Sequence, residues 1–515
     1  MKKFLNTLFF GKYSALAFAA VAAVASLLDY SFRFSFVFID NSVFSGFSLI
    51  LFIVSVLSAV FLTAAASLKM RNSHCCDKKW FKAIQCISVI YTVFMAIVVL
   101  ISFITAGSES SPVALTFCKQ LLPLWVAIVA VAFVSFILPN IKKSAVKKVF
   151  SAVIAVALAV VIYSSVFPVT PYKFTSAPVV FDNGEDYSVV FTTSDIGTAY
   201  VEYEYNGKNI RIFDENNGRK NGDSIIHTVH VPYEQLSGNT YKVFSTRVID
   251  ELSYGGRSGK TIESESINFS DNLGKNVNAL TVSDWHTRNE LAKKAVAQVG
   301  DYNAVLLVGD CAPGLMVPED VEKYLIQFAA DLSKGTMPVI FARGNHETRG
   351  KEACKLADYL GMDKFYFTTK LGDYNFIVLD SGEDKNDDHP EYGGMVAYEQ
   401  HREKMVEWLN GLENQSGSKT IAISHSDEIC IEQELSKSAL SKLDKMNVSL
   451  LVSGHLHKNE IRRAEPFSTL IDGGINAAGK DTYVASMLNI TPDGIKVISV
   501  DTDGKTTAED TFDWR

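Results

Sequence analysis

The stretch Val339-Ile-Phe-Ala-Arg-Gly-Asn-His-Glu347 decides how this chain is read. Apolar residues run up to a glycine, and an amide, an imidazole and a carboxylate follow at once. An α/β sheet places its ligand chemistry there, just past the carboxyl ends of its strands. The design recurs along the chain. Asp284-Trp-His286 follows the apolar run 279–283, and Gly309-Asp310 follows 304–308. His425 follows 420–424, and Gly454-His455-Leu-His457 follows 448–452. A further strand is expected over 374–379. Five of the ten histidines sit in these blocks, all in post-strand positions. One Asp-x-His would say little; five blocks in this order, at strand-helix-strand spacing, specify a site.

The residue types point to metal chemistry. Two dications held side by side repel unless an anion bridges them, and a carboxylate at a strand end supplies one. Imidazole nitrogens and carboxylate oxygens suit Mn, Fe and Zn. Alternate residues of an extended segment point the same way, so Asp-x-His and His-x-His can each aim two side chains at one place. The glycines before Asp310, Asn345 and His455 let the backbone turn sharply.

Over about 279–500 these blocks resemble the calcineurin-like metallophosphoesterase superfamily. The resemblance implies a four-layer α/β/β/α sandwich over 275–515 that holds two divalent ions. Asp284, His286 and His457 would hold the first ion. Asn345, His425 and His455 would hold the second, and Asp310 would bridge them. His346 would contact the phosphate and stabilise charge or protonate the leaving group, which makes His346 and Asp310 the candidate catalytic residues. Arg343 and Arg349 flank the Asn-His pair, and Arg349 is the candidate for a non-bridging phosphate oxygen. Glu347 reads as a supporting or capping group, and Cys311 as a packed thiol. Two departures stand out. Purple acid phosphatases carry a Tyr ligand a few residues after the bridging Asp; here the segment is Gly309-Asp-Cys-Ala-Pro-Gly314. The superfamily also often has Asp or Asn three residues after that Asp, where this chain has Pro313.

Upstream, the run His227–Tyr241 resembles the late strands of fibronectin type III domains and the N-terminal sandwich of purple acid phosphatases. Strand-like runs at 187–193, 199–205, 225–231 and 241–249, separated by Asn-Gly and Ser-Gly-Asn turns, predict a β-sandwich over 169–274. His227 and His230 read as strand residues there.

Residues 1–168 read differently. Five apolar stretches, at about 9–28, 43–67, 84–106, 120–139 and 149–167, each approach the roughly 20 residues that cross a bilayer. Of the 14 Lys and Arg in this part, 12 fall at the N-terminus and in the second and fourth loops, which puts those on the cytoplasmic side. Five crossings then place everything after Pro168 outside. The start also resembles a signal peptide, whose loss would leave four spans and the same outward side. Residues 169–515 carry 35 Lys and Arg against 53 Asp and Glu, a balance that disfavours nucleic acid as partner. The three cysteines in that part show no framework spacing, which suits a bacterial cell membrane.

The expected order is therefore an all-α transmembrane bundle, a β-sandwich and an α/β metallophosphoesterase sandwich. The expected activity is hydrolysis of phosphate mono- or diesters outside the cytoplasm, on a phosphorylated small molecule or a lipid-linked phosphate. A second class is a membrane sensor or transport-associated protein with a phosphoesterase-like binding module. The spans carry no mid-membrane charge, which disfavours an ion path.

Overall fold

A computed structural model describes residues 171–252, 255–414 and 417–515, with Ala145 and Val149. Apart from Val149, the five expected membrane spans lie outside the described residues. Among the described residues no helix is long and apolar enough to cross a membrane.

Ten strands come first: β1 (Val179–Asp182), β2 (Tyr187–Thr192), β3 (Gly197–Tyr205), β4 (Lys208–Phe213), β5 (Glu215–Asn216), β6 (Arg219–Lys220), β7 (Ile226–Val231), β8 (Thr240–Leu252), β9 (Gly255–Glu263) and β10 (Ile267–Asn268). The order β10-β8-β3-β4, with β9 on β8, forms one five-stranded sheet. In β3 buried residues alternate with more exposed ones, the period-two pattern of a sheet with one covered face. β2 is buried at all six positions, as a strand covered on both faces must be. Val189 and Phe191 pack with Val201, Tyr203, Tyr241 and Val243 of the facing sheet. Val190, pointing the other way, packs with the helices of the next part of the chain.

That second contact shows how the structure differs from the expected self-contained sandwich. Two layers do face each other over a shared core, but one of them is not a separate sheet. β1 pairs in parallel with a strand of the following α/β part, Val180 opposite Pro338 and Phe181 opposite Val339. Tyr172–Val248 and Gly259–Arg515 accordingly form one compact unit. A pairing between segments some 160 residues apart leaves no local trace in composition or turn signals.

The α/β part continues with β11 (Val277–Val282), α1 (Asn289–Val296), β12 (Ala304–Leu307), α2 (Gln327–Ser333), β13 (Pro338–Phe341), β14 (Phe367–Leu371), β15 (Tyr374–Leu379), α3 (Tyr398–Gly411), β16 (Thr420–Ser424), α4 (Gln433–Lys445) and β17 (Val448–Ser453). It closes with β18 (Asn459–Arg462), β19 (Ser468–Asp472), β20 (Gly474–Ile475), β21 (Tyr483–Thr491), β22 (Gly494–Asp501) and β23 (Thr506–Phe512). The first large sheet runs β23-β22-β21-β11-β12-β13-β1-β2-β7, with β20 on β21. The second runs β14-β15-β16-β17-β19-β18.

Alternation along the central strands separates four layers. Ala279, Leu306 and Ile340 of the first sheet meet Phe376, Ile421, Leu450 and Leu470 of the second. Leu280, Val305 and Phe341 point outward to α1, α2 and their neighbours. Ile377 and Ala422 point outward to Met405 and Leu409 of α3 and Leu443 of α4. This is the α/β/β/α order expected for 275–515. The parallel strands β11, β12 and β13, and likewise β15, β16 and β17, end on one side of the layers, where the polar blocks follow them.

Candidate metal centre

The turns after these strands are tightly constrained. Asp284, His286, Asp310, His455 and His457 all have positive φ, from 38° to 67°. Such backbone costs a non-glycine residue about 1–3 kcal/mol and persists only where the surroundings dictate it. Here cross-loop hydrogen bonds do so. The Asp284 N–H donates to the Gly309 carbonyl at 2.9 Å and the His286 N–H to the Asp310 carbonyl at 3.1 Å. Trp285, between the two expected ligands, is fully buried against Phe328 and donates its indole N–H to the Tyr324 carbonyl at 2.7 Å. The middle residue of Asp-x-His thus anchors the loop while its neighbours face the site.

The glycines are spacing devices. A Cβ at Gly344 would collide with Asp310 Oδ1, and one at Gly454 would lie 2.5 Å from Asp284 Oδ2. Those loops approach the carboxylates too closely for any side chain.

All seven expected ligands converge. Asp284, His286 and His457 form one group of mutually close donor atoms, and Asp310, His425 and His455 form another. His286 Nε2 lies 3.1 Å from His457 Nε2, and Asp284 Oδ1 lies 3.4 Å from that same nitrogen. Asn345 Oδ1 lies 3.2 Å from His455 Nδ1. Asp310 stands between the groups, its Oδ2 at 3.3 Å from His425 Nε2 and 3.6 Å from His286 Nε2. His346, which makes a third group with His286 and Asp310, has its Nε2 at 3.8 Å from Asp310 Oδ2.

The donors fit cations better than they fit one another. Asp284 Oδ1 and His425 Nε2 are buried without a hydrogen-bond partner. The Nδ1 of His425 donates to the Val308 carbonyl at 2.5 Å. That fixes the tautomer and aims the Nε2 lone pair at a carboxylate 3.3 Å away, an arrangement that requires positive charge between them. The proton affinities respond to the same need. Burial lowers His425, yet the Asp310 and Asp284 carboxylates outweigh it and lift the imidazole to about 10. Burial also raises Asp310, but the His425 and His346 imidazoles and the His346 N–H carry it below the ordinary carboxylate range. Burial lifts Asp284 to about 7 and drops His286 to about 4. His455 and His457 are lowered as well, first by burial.

The supporting residues were only partly visible in sequence. Glu347 is buried and receives the N–H groups of Asp310 and Gly344, both at 2.8 Å, and of Cys311 at 2.5 Å. Burial pushes the Cys311 thiol well up, as expected of a packed cysteine. Pro313 lacks a side-chain acceptor, but its carbonyl takes the His346 Nδ1 proton at 3.1 Å. Arg343 does not reach the site. It is buried, paired with Asp380 at 2.6 Å and laid over the Phe365 ring. The segment 380–388 is half interior: Asp380 and Glu383 are buried, and Glu383 binds Arg349 at 2.8 Å. No periodicity or spacing marks such a partner. His227 is a buried strand residue bonded to Thr193 at 2.8 Å, and His230 lies beside Asp186.

Residues 278–459 match the family model of the calcineurin-like phosphoesterases. This part of the chain is therefore a metallophosphoesterase domain. No curated protein matches the chain. Among solved structures it is similar to a purple acid phosphatase from yellow lupin (Lupinus luteus) seeds, at 14% identity and TM-score 0.46, over 65% of this chain and 73% of that one. It is similar to the phosphopantetheinyl hydrolase of Mycobacterium tuberculosis at 16% identity and TM-score 0.27, over 38% and 89%. It is also similar to the vacuolar protein sorting 29 protein of Cryptosporidium parvum at 15% identity and TM-score 0.25, over 46% and 99%.

With Cys311 buried and no tyrosine between Asp310 and Gly314, iron-loaded protein is expected to be colourless. A visible absorption spectrum checks this; a strong charge-transfer band would mean that a tyrosine enters the ligand set.

Proposed function

We propose that this chain is a dinuclear-metal phosphoesterase, anchored in a bacterial cell membrane and acting on phosphate esters outside the cytoplasm. The observation that carries the reading is the pair of donor groups sharing one carboxylate, Asp284-His286-His457 and Asp310-His425-His455, with Asn345 beside the second. Asp310 would bridge, and the other six residues would divide between two ions of Mn, Fe or Zn. When bound, such a pair polarises the phosphoryl group and activates water for in-line attack. The protein supplies the rest. The left-handed turns and the Glu347 carboxylate hold the ligands at fixed separation before any ion arrives. His346, oriented through Nδ1 by the Pro313 carbonyl, presents Nε2 toward the reacting phosphate. From there it stabilises charge or hands a proton to the leaving oxygen. Outward placement is supported by the five apolar stretches and the 12 of 14 cations that flank one side of them.

Full-length protein in detergent with Mn²⁺ is expected to hydrolyse p-nitrophenyl phosphate or its bis ester, and chelation should abolish the activity. His346→Ala should lower kcat by about a hundredfold or more while bound metal, measured by elemental analysis, stays unchanged. Wild-type protein that is inert across a broad phosphoester panel would defeat the enzymatic reading. For the location, protease added to intact cells is expected to release the domain; protection would reverse the topology.

A further inference from the structure

The arginine beside the site carries information about the substrate, on the reading of the site given above. Arg349 follows the Asn345-His346 block by only three residues, so it could be a free cation attracting any phosphate. The structure shows it tied down. Its Nε and Nη2 donate to the two oxygens of Glu383, each at 2.8 Å. Thr348 Oγ donates to the same carboxylate at 2.8 Å and Tyr392 OH at 3.2 Å. Glu383 is itself held from behind, since the wholly buried Arg402 donates to its carbonyl at 3.0 Å and to that of Ser381 at 3.2 Å. Arg402 in turn grips Glu432 at 2.6 Å.

One end of the guanidinium remains. Nη1 lies 3.3 Å from His346 Nε2, the nitrogen that faces the bridging carboxylate. The Arg349 stem packs along Gly314, where an added Cβ would touch it at 3.5 Å. The residue thus has a fixed direction, with Nη1 turned to the His346 ring on the side of the site and its charge largely balanced by Glu383. A donor held this way recognises a particular oxygen rather than negative charge in general.

We propose that Arg349, positioned by Glu383, binds the third non-bridging oxygen of a terminal phosphate, so that the site takes phosphomonoesters in preference to diesters. A monoester dianion carries its charge on three non-bridging oxygens. Ions held by the two donor groups would take two of them, leaving the third to His346 and Arg349 Nη1. A diester has no third oxygen. Its second ester group would occupy that space, displacing a guanidinium held by two hydrogen bonds to Glu383, a carboxylate that Thr348 and Tyr392 hold in turn.

The test compares p-nitrophenyl phosphate with bis(p-nitrophenyl) phosphate on the metal-loaded full chain. Wild type is expected to favour the monoester in kcat/KM by about tenfold or more. Arg349→Gln should lower monoester kcat/KM by about a hundredfold and diester kcat/KM by less than about threefold. Arg349→Lys, which keeps the charge and loses the fork, should recover little. Glu383→Gln should act mainly through a higher monoester KM. Calorimetric titration with inorganic phosphate supplies a readout independent of turnover, with affinity falling about tenfold in Arg349→Gln. Preference for the diester, equal losses on both esters, or unchanged phosphate affinity would each overturn the proposal. Inertness of the wild type toward both esters, with phosphate still bound through Arg349, would instead count against the enzymatic reading.

Discussion

Asp310→Asn is expected to lower kcat/KM by at least about a thousandfold and to reduce bound metal from two ions to one or none. The substitution preserves shape and one acceptor. Oδ1 can still receive the His346 N–H, now at 3.0 Å. What disappears is the negative charge at Oδ2, which faces His425, His286 and His346 at 3.3, 3.6 and 3.8 Å. Without it two dications within a few ångströms of each other have nothing to offset their repulsion, and the amide nitrogen cannot ligate. Elemental analysis and steady-state kinetics read the two losses separately. Near-wild-type metal content with full activity would show that Asp310 is not the bridge.

Glu347→Ala is expected to be the most damaging substitution that touches no ion. The carboxylate collects three backbone N–H groups, of Asp310, Cys311 and Gly344, in a buried pocket. Removing it leaves all three without a partner, at about 1–3 kcal/mol apiece, so roughly 3 kcal/mol or more of stability is at stake. A fall in Tm on the order of 5 °C or more should follow. The same three N–H groups shape the turn that carries Asp310 at φ 62°, so activity should fall even where the protein stays folded. Glu347→Gln is a sharper probe, because its NH₂ must face one of the donors. Calorimetric melting with and without Mn²⁺ checks both variants; an unchanged Tm would mean that water replaces the carboxylate.

Much of this was legible in the residues. Apolar runs ending in glycine or a polar pair gave β11, β12, β13, β16 and β17, because a parallel strand covered on both faces must be continuously apolar. The convergence of the seven candidate ligands followed from their common post-strand position. The supporting contacts could not be read this way. Nothing in the spacing joins Arg349 to Glu383, 34 residues on, or turns Arg343 away toward Asp380. The positive φ values at the ligands follow from loop-to-loop hydrogen bonds rather than from local preference. The closing meander β21-β22-β23 carries no chemistry-bearing block to draw attention to it.

The strand pairing between β1 and β13 has a mechanical meaning. The border suggested near residue 274 is no seam, because the sheet passes straight through it. Severing the chain there would bare the flank of β13, a row of unpaired N–H and C=O groups that invites self-association. It would also unmoor the strand that leads directly into Gly344, Asn345 and His346. Force applied to the small upstream layer therefore passes through backbone hydrogen bonds to the loop that carries Asn345 and His346, so that layer is part of the frame holding the candidate site.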